Sequence, residues 1–427
     1  ESPIGVQNKI IKLVKEKKVD APSSAVHYDR LESNQGKANI MCHRPPEYVG
    51  RPVVWFCDIF VQFHQDLKNA EPVPKKYYDI ALKLCKEMSK TYPNENARTK
   101  AFDDCFSDDS PFYNFKKIVL ENDRLSDGFL LHHIKDALIG NREFKNEIGT
   151  GHVDPYLQGV YSWLNYWSTD RGDFWRKQCC CPVVDPLTPY IPLMLSMDTH
   201  NMKFIAQLLW ALERGFNNLK EYYDKVVSTK INFNLHLDES IAPQWFFPKN
   251  TVKINNKDQK IIYIKPVKKK LEHANIYLAK IQTDTNNSQL IIVKFSLKYN
   301  FEAHQICANQ GYAPKFITVN DVGNWKMIIM EYIDGDILQE KPDDNVFNNI
   351  QTAIQLLHNE DIVFGDLRMC NIMVRKSDKK GMLIDFEWAG KENIDCYPPF
   401  MNYIEVDWPV GAIDDQPLKK EHDLIWL

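Results

Sequence analysis

Two aspartates and an asparagine in the C-terminal part have the residue types and spacing that phosphoryl transfer needs. Asn371 lies five positions after Asp366, and Asp385 lies nineteen positions after it. Phosphoryl transfer requires a carboxylate that orients the attacking hydroxyl group and hard oxygen ligands that hold Mg²⁺ against the phosphates. The spacing therefore predicts that Asp366 receives the hydroxyl proton and that Asn371 and Asp385 bind the metal. Arg368 is placed to contact the transferred phosphate.

This pattern resembles the protein-kinase-like superfamily, in the variant closer to aminoglycoside and choline phosphotransferases. In that variant the motif contains Gly-Asp-Leu, as residues 365–367 do here. The resemblance covers roughly residues 258–427. It implies a bilobal ATP- and Mg²⁺-dependent domain in which Lys294 grips phosphate and pairs with Glu302 on the following helix.

The same resemblance implies that Glu331 and Tyr332 belong to the hinge against which adenine lies. It does not define the acceptor, which we expect to be a hydroxyl group on a protein or on a small molecule. The chain ends at Leu427. We therefore expect the helical C-lobe to be shorter than in the family.

Three departures from the family pattern leave a second interpretation open. Residues 271–278 occupy the place of the glycine-rich loop but contain no glycine, Phe364 replaces the usual histidine, and Glu387 replaces the glycine after Asp-Phe. Side chains obstruct the close approach of backbone N–H groups to phosphate. The alternative is a pseudokinase scaffold that binds nucleotide weakly.

A second group of polar residues lies in the N-terminal half. Glu143 and Lys145 are two residues apart, so on a strand they share one face. A carboxylate there can hold Mg²⁺ while the lysine steadies an attacking water or a phosphate. Asp127 is the candidate second metal ligand, and Gln158 and Tyr161 begin an apolar helix that could reach back to the site.

This group resembles the PD-(D/E)xK nuclease core, a restriction-endonuclease-like fold, and implies metal-dependent cleavage of nucleic acid. The alternative is a cross-strand ion pair without catalytic function. The order of the two modules resembles fungal Crinkler-type effectors and kinase-like proteins, which implies an intracellular setting, cytoplasmic or nuclear. Lys265–Lys270 is rich in lysine and is either a nuclear address or a solvated turn.

The elements that must position these residues follow from hydrophobic periodicity. Apolar residues at three- and four-residue steps predict helices near 77–88, 202–227 and 344–358, and short β-prone runs predict strands between residue 261 and residue 384. The fold class is α+β or α/β with several domains. We predict a helical region at 1–110, a nuclease-like module at 111–227, a linker at 228–257 and a kinase-like domain at 258–427.

Composition excludes several other classes. The chain has 427 residues and a net charge of −4, which argues against a globally basic nucleic-acid binder. It contains no apolar run long enough for a membrane span and no secretion signal. Its ten cysteines include no CxxC pair, which argues against a zinc knuckle and favours a reducing compartment. The first residue is not Met, which suggests a processed or trimmed chain.

Overall fold

The computed structural model divides the chain into two compact units, Glu1–Lys249 and Asn250–Leu427. The residues that it describes are 11–16, 33, 50–68, 72–119, 125–145, 155–178, 191, 193, 199–228, 248–254, 256–267, 275–282 and 288–425.

The N-terminal unit combines helices with a small antiparallel sheet. Its helices are α1 (Asp58–Lys68), α2 (Lys75–Met88), α3 (Glu95–Asp103), α4 (Pro155–Trp167), α5 (Asp170–Gln178) and α6 (Thr199–Ser228). Its strands are β1 (Lys116–Val119), β2 (Leu125–Leu131) and β3 (Leu138–Arg142), in the order β1-β2-β3. The helices predicted near 77–88 and 202–227 are confirmed.

Helix α6 joins the two parts of this unit that the sequence predicts as separate. Its N-terminal half packs Ile205 and Leu209 into one core with Tyr77 and Leu84 of α2. Its C-terminal half packs Tyr223 into a second core with residues of the sheet and of α4 and α5. Because one helix contributes to both cores, residues 1–110 and 111–227 belong to one compact unit.

The C-terminal unit is built around a six-stranded antiparallel sheet in the order β4-β5-β6-β7-β9-β8. These strands are β4 (Thr251–Ile254), β5 (Lys257–Pro266), β6 (Ile276–Gln282), β7 (Ser288–Ser296), β8 (Phe316–Val322) and β9 (Trp325–Glu331). The second unit therefore begins before the predicted start at residue 258, since β4 pairs with β5 along its whole length.

Helices and short hairpins complete this unit. The helices are α7 (Phe301–Asn309), α8 (Asp344–Asn359) and α9 (Lys420–Ile425). The remaining strands are β10 (Gly335–Ile337), β11 (Ile362–Val363), β12 (Ile372–Arg375), β13 (Gly381–Leu383) and β14 (Gly390–Lys391). The strands predicted near residue 384 are confirmed, and β12 and β13 pair in antiparallel register as a hairpin.

Helix α8 forms the floor beneath the catalytic-loop candidate. The Asp343 side chain caps it by accepting a hydrogen bond from the Val346 N–H at 2.8 Å. Its buried stripe includes Val346, Ile350 and Leu357, and it belongs to a core that also contains Leu367 and Leu383. The packing therefore places the loop at 364–371 on a rigid base.

Among the described residues, no helix is long and apolar enough to cross a membrane.

Candidate active site

Lys294 lies on a central strand of the six-stranded sheet. It pairs in register with Ile276 of β6 and with Ile328 of β9, and the residue is 4% exposed. A buried ammonium group must be compensated by opposite charge. Its Nζ lies 2.7 Å from Asp385 Oδ1 and 2.8 Å from a carboxylate oxygen of Glu387.

The predicted Lys294–Glu302 ion pair is not formed, and this expectation needs correction. Glu302 is exposed in the first turn of α7. The Lys294 ammonium group instead forms ion pairs with the carboxylates of Asp385 and Glu387. The physical reason is the glutamate at position 387, where the family pattern has glycine, because it supplies a closer carboxylate.

Asp366 stands in the loop between β11 and β12 and is 7% exposed. Arg368 binds its carboxylate in bidentate fashion, through Nε to Oδ1 and through Nη2 to Oδ2, the latter at 2.7 Å. The Asn371 amide donates to Asp366 Oδ2 at 2.8 Å and to the Asp366 carbonyl oxygen at 2.9 Å. Hydrogen bonding to Asp366, opposed by burial, raises the pKa of the Arg368 guanidinium. The three side chains therefore form one rigid cluster.

Backbone pairing joins this cluster to Asp385. The Ile384 N–H donates to the Asn371 carbonyl oxygen at 2.9 Å, so the residue before Asp385 lies directly beside the metal-ligand candidate. Asp385 has φ of 69°, in the left-handed region that non-glycine residues rarely occupy. Such backbone strain is concentrated at functional sites. The fold thus brings together the four residues that the sequence proposes: Lys294, Asp366, Asn371 and Asp385.

Asp423 supports the catalytic-loop candidate through hydrogen bonds to its backbone, and the sequence interpretation missed this residue. It is 1% exposed, and its carboxylate accepts hydrogen bonds from the N–H groups of Phe364 at 2.8 Å and Gly365 at 2.9 Å. His358 Nε2 lies 2.9 Å from the same carboxylate. Gly365 has φ of 81°, a conformation that favours glycine. The sequence offers only a weak signal for this role, an acid in a short helix.

Aromatic packing explains the phenylalanine that replaces the family's histidine. Phe364 is fully buried and meets Phe386 edge to face at a centroid distance of 5.4 Å. Phe386 in turn stacks on His304 of α7 at 4.8 Å with an interplanar angle of 9°. This column links the loop of Asp366, the segment of Asp385 and helix α7 through buried rings.

His304 is held as a neutral imidazole within this column. Its Nδ1 lies 2.8 Å from the Tyr299 hydroxyl group, and its Nε2 lies 2.8 Å from the Pro314 carbonyl oxygen. Burial lowers the pKa of His304 to about 4, and the charge of Lys294 acts in the same direction. Burial, together with the charges of Asp385 and Glu387, raises the pKa of Tyr299 well above its ordinary value.

Glu331 and Tyr332, the hinge candidates, make hydrogen bonds to neighbouring strands and loops in this structure. The Glu331 carboxylate accepts a hydrogen bond from the Lys315 N–H at 2.8 Å, and the Tyr332 N–H donates to the Leu290 carbonyl oxygen at 3.3 Å. These contacts fix the strand end after β9. The expected adenine contacts stay a prediction. In the segment that replaces the glycine-rich loop, residues 271–274 lie outside the described residues.

The N-terminal candidates are only partly described. Glu143 follows β3, and its carboxylate accepts hydrogen bonds from Gln158 Nε2 at 3.1 Å and from Ser162 Oγ at 2.6 Å. Lys145 lies 3.4 Å from Glu95 of α3. The helix α4 thus reaches Glu143 through Gln158, as the sequence suggests.

Two further features bear on that N-terminal group. Tyr161 is fully buried in α4. The backbone of Asp127 lies in β2, next to the Gly128–Arg142 pair, but its side chain lies outside the described residues.

The match to a known protein family lies within the second unit. Residues 275–393 match the family model WaaY, described as a lipopolysaccharide core biosynthesis protein. The Cydia pomonella Granulovirus kinase, PK-1, is a solved structure with 18% identity and a TM-score of 0.32, and the match covers 39% of this chain and 64% of that one. The chain thus spans less than two thirds of that kinase. No curated protein matches the sequence significantly. The family match, together with the clustered site, supports a kinase-like, phosphotransferase-like domain in the second unit.

Proposed function

We propose that the unit Asn250–Leu427 is an ATP- and Mg²⁺-dependent phosphotransferase. The observation that carries this proposal is the contact of Lys294 Nζ with Asp385 Oδ1 at 2.7 Å beside the hydrogen-bonded pair of Asp366 and Asn371. Such a contact unites a phosphate-binding cation, two hard oxygen ligands and a proton acceptor in one place.

The donor set fits Mg²⁺. Asp385 and Asn371 offer a carboxylate and an amide oxygen, which are ligand types that hard divalent cations prefer. When bound, Mg²⁺ neutralises phosphate charge and ATP supplies the phosphoryl group. Lys294 binds phosphate oxygens in place of one of its carboxylates, and Asp366 orients the acceptor hydroxyl and receives its proton.

The decisive experiment compares Asp366→Asn with the parent protein for phosphate release from ATP. Asparagine keeps the shape of the side chain but cannot accept the hydroxyl proton, so we expect a loss of roughly 100-fold or more in rate. Asp378→Asn is the matched control, because Asp378 is an exposed acid that pairs with Arg375. Equal rates for the Asp366 variant and the parent would remove the proposal.

Nucleotide binding separates this proposal from the pseudokinase scaffold. A ligand that binds only the folded protein at about 100 times its Kd stabilises it by about 2.7 kcal/mol. We expect Mg²⁺–ATP to raise the melting temperature of the parent and of Asp366→Asn alike. Absence of any shift at millimolar ATP would favour the scaffold.

Metal-dependent cleavage of nucleic acid by the N-terminal unit is a second candidate function. It is favoured by the hydrogen bond from Gln158 to Glu143, which brings helix α4 to the proposed carboxylate. Asp127 and Glu143 would hold the metal, and Lys145 would act on the attacking water or the phosphate. We expect plasmid nicking with Mg²⁺ or Mn²⁺ that is lost in Lys145→Ala and retained in Asp385→Asn. Absence of nicking by the parent would reject this function.

A further inference from the structure

The segment that follows the proposed metal site is acidic and apolar at once. Residues 392–418 contain six Asp and Glu residues and no Lys or Arg. Within it, Phe400 is 94% exposed, Ile404 97% and Val410 96%. Three large apolar side chains exposed so fully within residues 400–410 favour an interaction surface over a merely solvated loop.

Hydrogen bonds hold this segment in one shape. The Asp414 carboxylate accepts from the N–H groups of Phe400 and Met401, both at 3.0 Å, and from the Tyr403 hydroxyl group at 2.7 Å. Hydrogen bonding, first to the Met401 N–H, lowers the pKa of Asp414, so these contacts persist into the acidic range. The exposed apolar side chains are therefore displayed on a preorganised loop.

The same loop adjoins the catalytic-loop candidate. The Trp408 ring stacks on Trp388 at 5.2 Å, and the Arg368 guanidinium carbon lies 5.0 Å from the Trp408 ring centre. Beside this contact lies a groove of about 630 Å³. Its lining is mainly apolar and includes Met369 and Cys370 of the catalytic loop. The charged residues in the lining are Lys341, Arg368, Glu405 and Asp407.

We propose that residues 400–415 and this groove, the acidic-apolar surface, bind a polypeptide that carries basic and apolar side chains and presents a hydroxyl group to Asp366. This inference rests on the proposed phosphotransferase function and names its acceptor class. Charge complementarity favours a cationic partner, because residues 400–415 carry four acids and no Lys or Arg, and of the two basic residues that line the groove, Lys341 and Arg368, the second is already paired with Asp366. A small molecule can fill the groove, but it leaves Phe400, Ile404 and Val410 in water.

The transfer itself balances without any further reactant. The acceptor hydroxyl oxygen forms a bond to the γ-phosphorus of ATP, and the bond from that phosphorus to the bridging oxygen of ADP breaks. The hydroxyl proton passes to Asp366 and then to solvent. The products are a phosphorylated polypeptide and ADP.

Direct binding tests the acidic-apolar surface without relying on catalysis. The probe is a short fluorescein-labelled peptide of arginine, leucine and one serine, and its control replaces every arginine by glutamate. Fluorescence polarisation is measured for the parent, for the double variant Glu405→Lys/Asp407→Lys and for Ile404→Ser. Asp258→Lys and Val119→Ser are matched controls, because Asp258 and Val119 are exposed and lie far from this surface in the sequence.

We expect the parent to bind the arginine peptide, more weakly at high salt, and not the glutamate peptide. The double variant should bind at least about tenfold more weakly, and Ile404→Ser several-fold more weakly, while both controls match the parent. Equal binding of the two peptides, or no effect of either surface variant, overturns the inference.

Catalysis supplies an independent readout. If the parent phosphorylates an amino sugar such as glucosamine but not the arginine peptide, the acceptor is a small molecule and the inference fails. Failure of the phosphotransferase proposal is distinguishable, because it appears as equal phosphate release from ATP by Asp366→Asn and the parent, or as absence of the Mg²⁺–ATP shift in melting temperature, whatever the peptide-binding result.

Discussion

Lys294 carries one positive charge and faces two carboxylates, those of Asp385 and Glu387. The local cluster therefore has an excess negative charge, which suits a divalent cation. Removing one partner of a buried charge is costly, because the remaining group stays desolvated. The identity of the lysine partner consequently decides which glutamate matters for nucleotide binding.

The exchange of partners leads to a prediction for a matched pair of variants. Glu387→Gln should weaken Mg²⁺–ATP binding roughly tenfold, because the carboxylate that positions Lys294 is lost. Glu302→Gln should stay within about twofold of the parent, because exposed charges contribute little. Isothermal titration of Mg²⁺–ATP measures both. A stronger effect at Glu302 than at Glu387 would contradict the ion pairs described above.

Asp423 leads to a prediction about stability. In Asp423→Ala the buried N–H groups of Phe364 and Gly365 lose their acceptor, so we expect the free energy of unfolding to fall by roughly 3–5 kcal/mol. Urea denaturation measures the change. Glu421→Ala is the control, since Glu421 is exposed on the same helix. Similar losses in both variants would show that the helix end, rather than the hydrogen bonds, is responsible.

Helix α7 acts through its buried histidine rather than through its exposed glutamate. His304 connects this helix to Phe386 by stacking and to Tyr299 and Pro314 by hydrogen bonds. The helix is thus fixed against the segment that carries Asp385, and Asn300 adds its own hydrogen bond from Nδ2 to the Ala389 carbonyl oxygen at 3.2 Å. At the scale of the element, apolar burial does the positioning that the sequence pattern assigns to an ion pair.

The lowered pKa of His304 predicts a pH dependence of stability. Between its ordinary value of 6.5 and about 4, the unfolded chain binds a proton that the folded protein does not. His304 therefore leaves the free energy of unfolding unchanged above pH 6.5. As the pH falls toward 4, the free energy of unfolding decreases by an amount on the order of 3 kcal/mol. Urea unfolding at several pH values should show a smaller decrease in His304→Gln than in the parent. An identical pH dependence in the two proteins would contradict this assignment.

At the scale of the whole molecule, the described core around the site lies within one unit. The buried residues that the structure describes for the core around α7 and α8 lie between Tyr299 and Ala389. It contains the packing that supports Asp366 and Asp385, and none of the residues described for it belongs to the first unit. The kinase-like site is therefore a property of one unit.

A fragment of residues 250–427 should accordingly fold and bind Mg²⁺–ATP by itself. We expect cooperative thermal unfolding and a stabilisation by Mg²⁺–ATP like that of the full chain, because core and site lie within these residues. Circular dichroism and thermal shift measure both properties. A fragment that is unfolded, while the full chain binds nucleotide, would show that the site depends on the first unit.

The amino-acid sequence by itself determined the helices and strands around the site and the identity of Asp366, Asn371 and Asp385 as candidates. This was possible because hydrophobic periodicity and short motif spacing are local properties of the chain. Lys294 was indicated only by the resemblance to the protein-kinase-like superfamily, which implies a phosphate-binding lysine on this strand.

Only the tertiary structure decided which groups face one another. The exchange of Glu302 for Glu387 as the partner of Lys294, and the support of Gly365 by Asp423, join residues far apart in the chain through the packing of separate elements. Motif spacing cannot predict such contacts, because the rotation of a helix and the path of a turn determine which carboxylate lies beside the lysine. The exposed side chains of Phe400, Ile404 and Val410 are a further example, since an apolar residue in a sequence predicts burial until the fold is known.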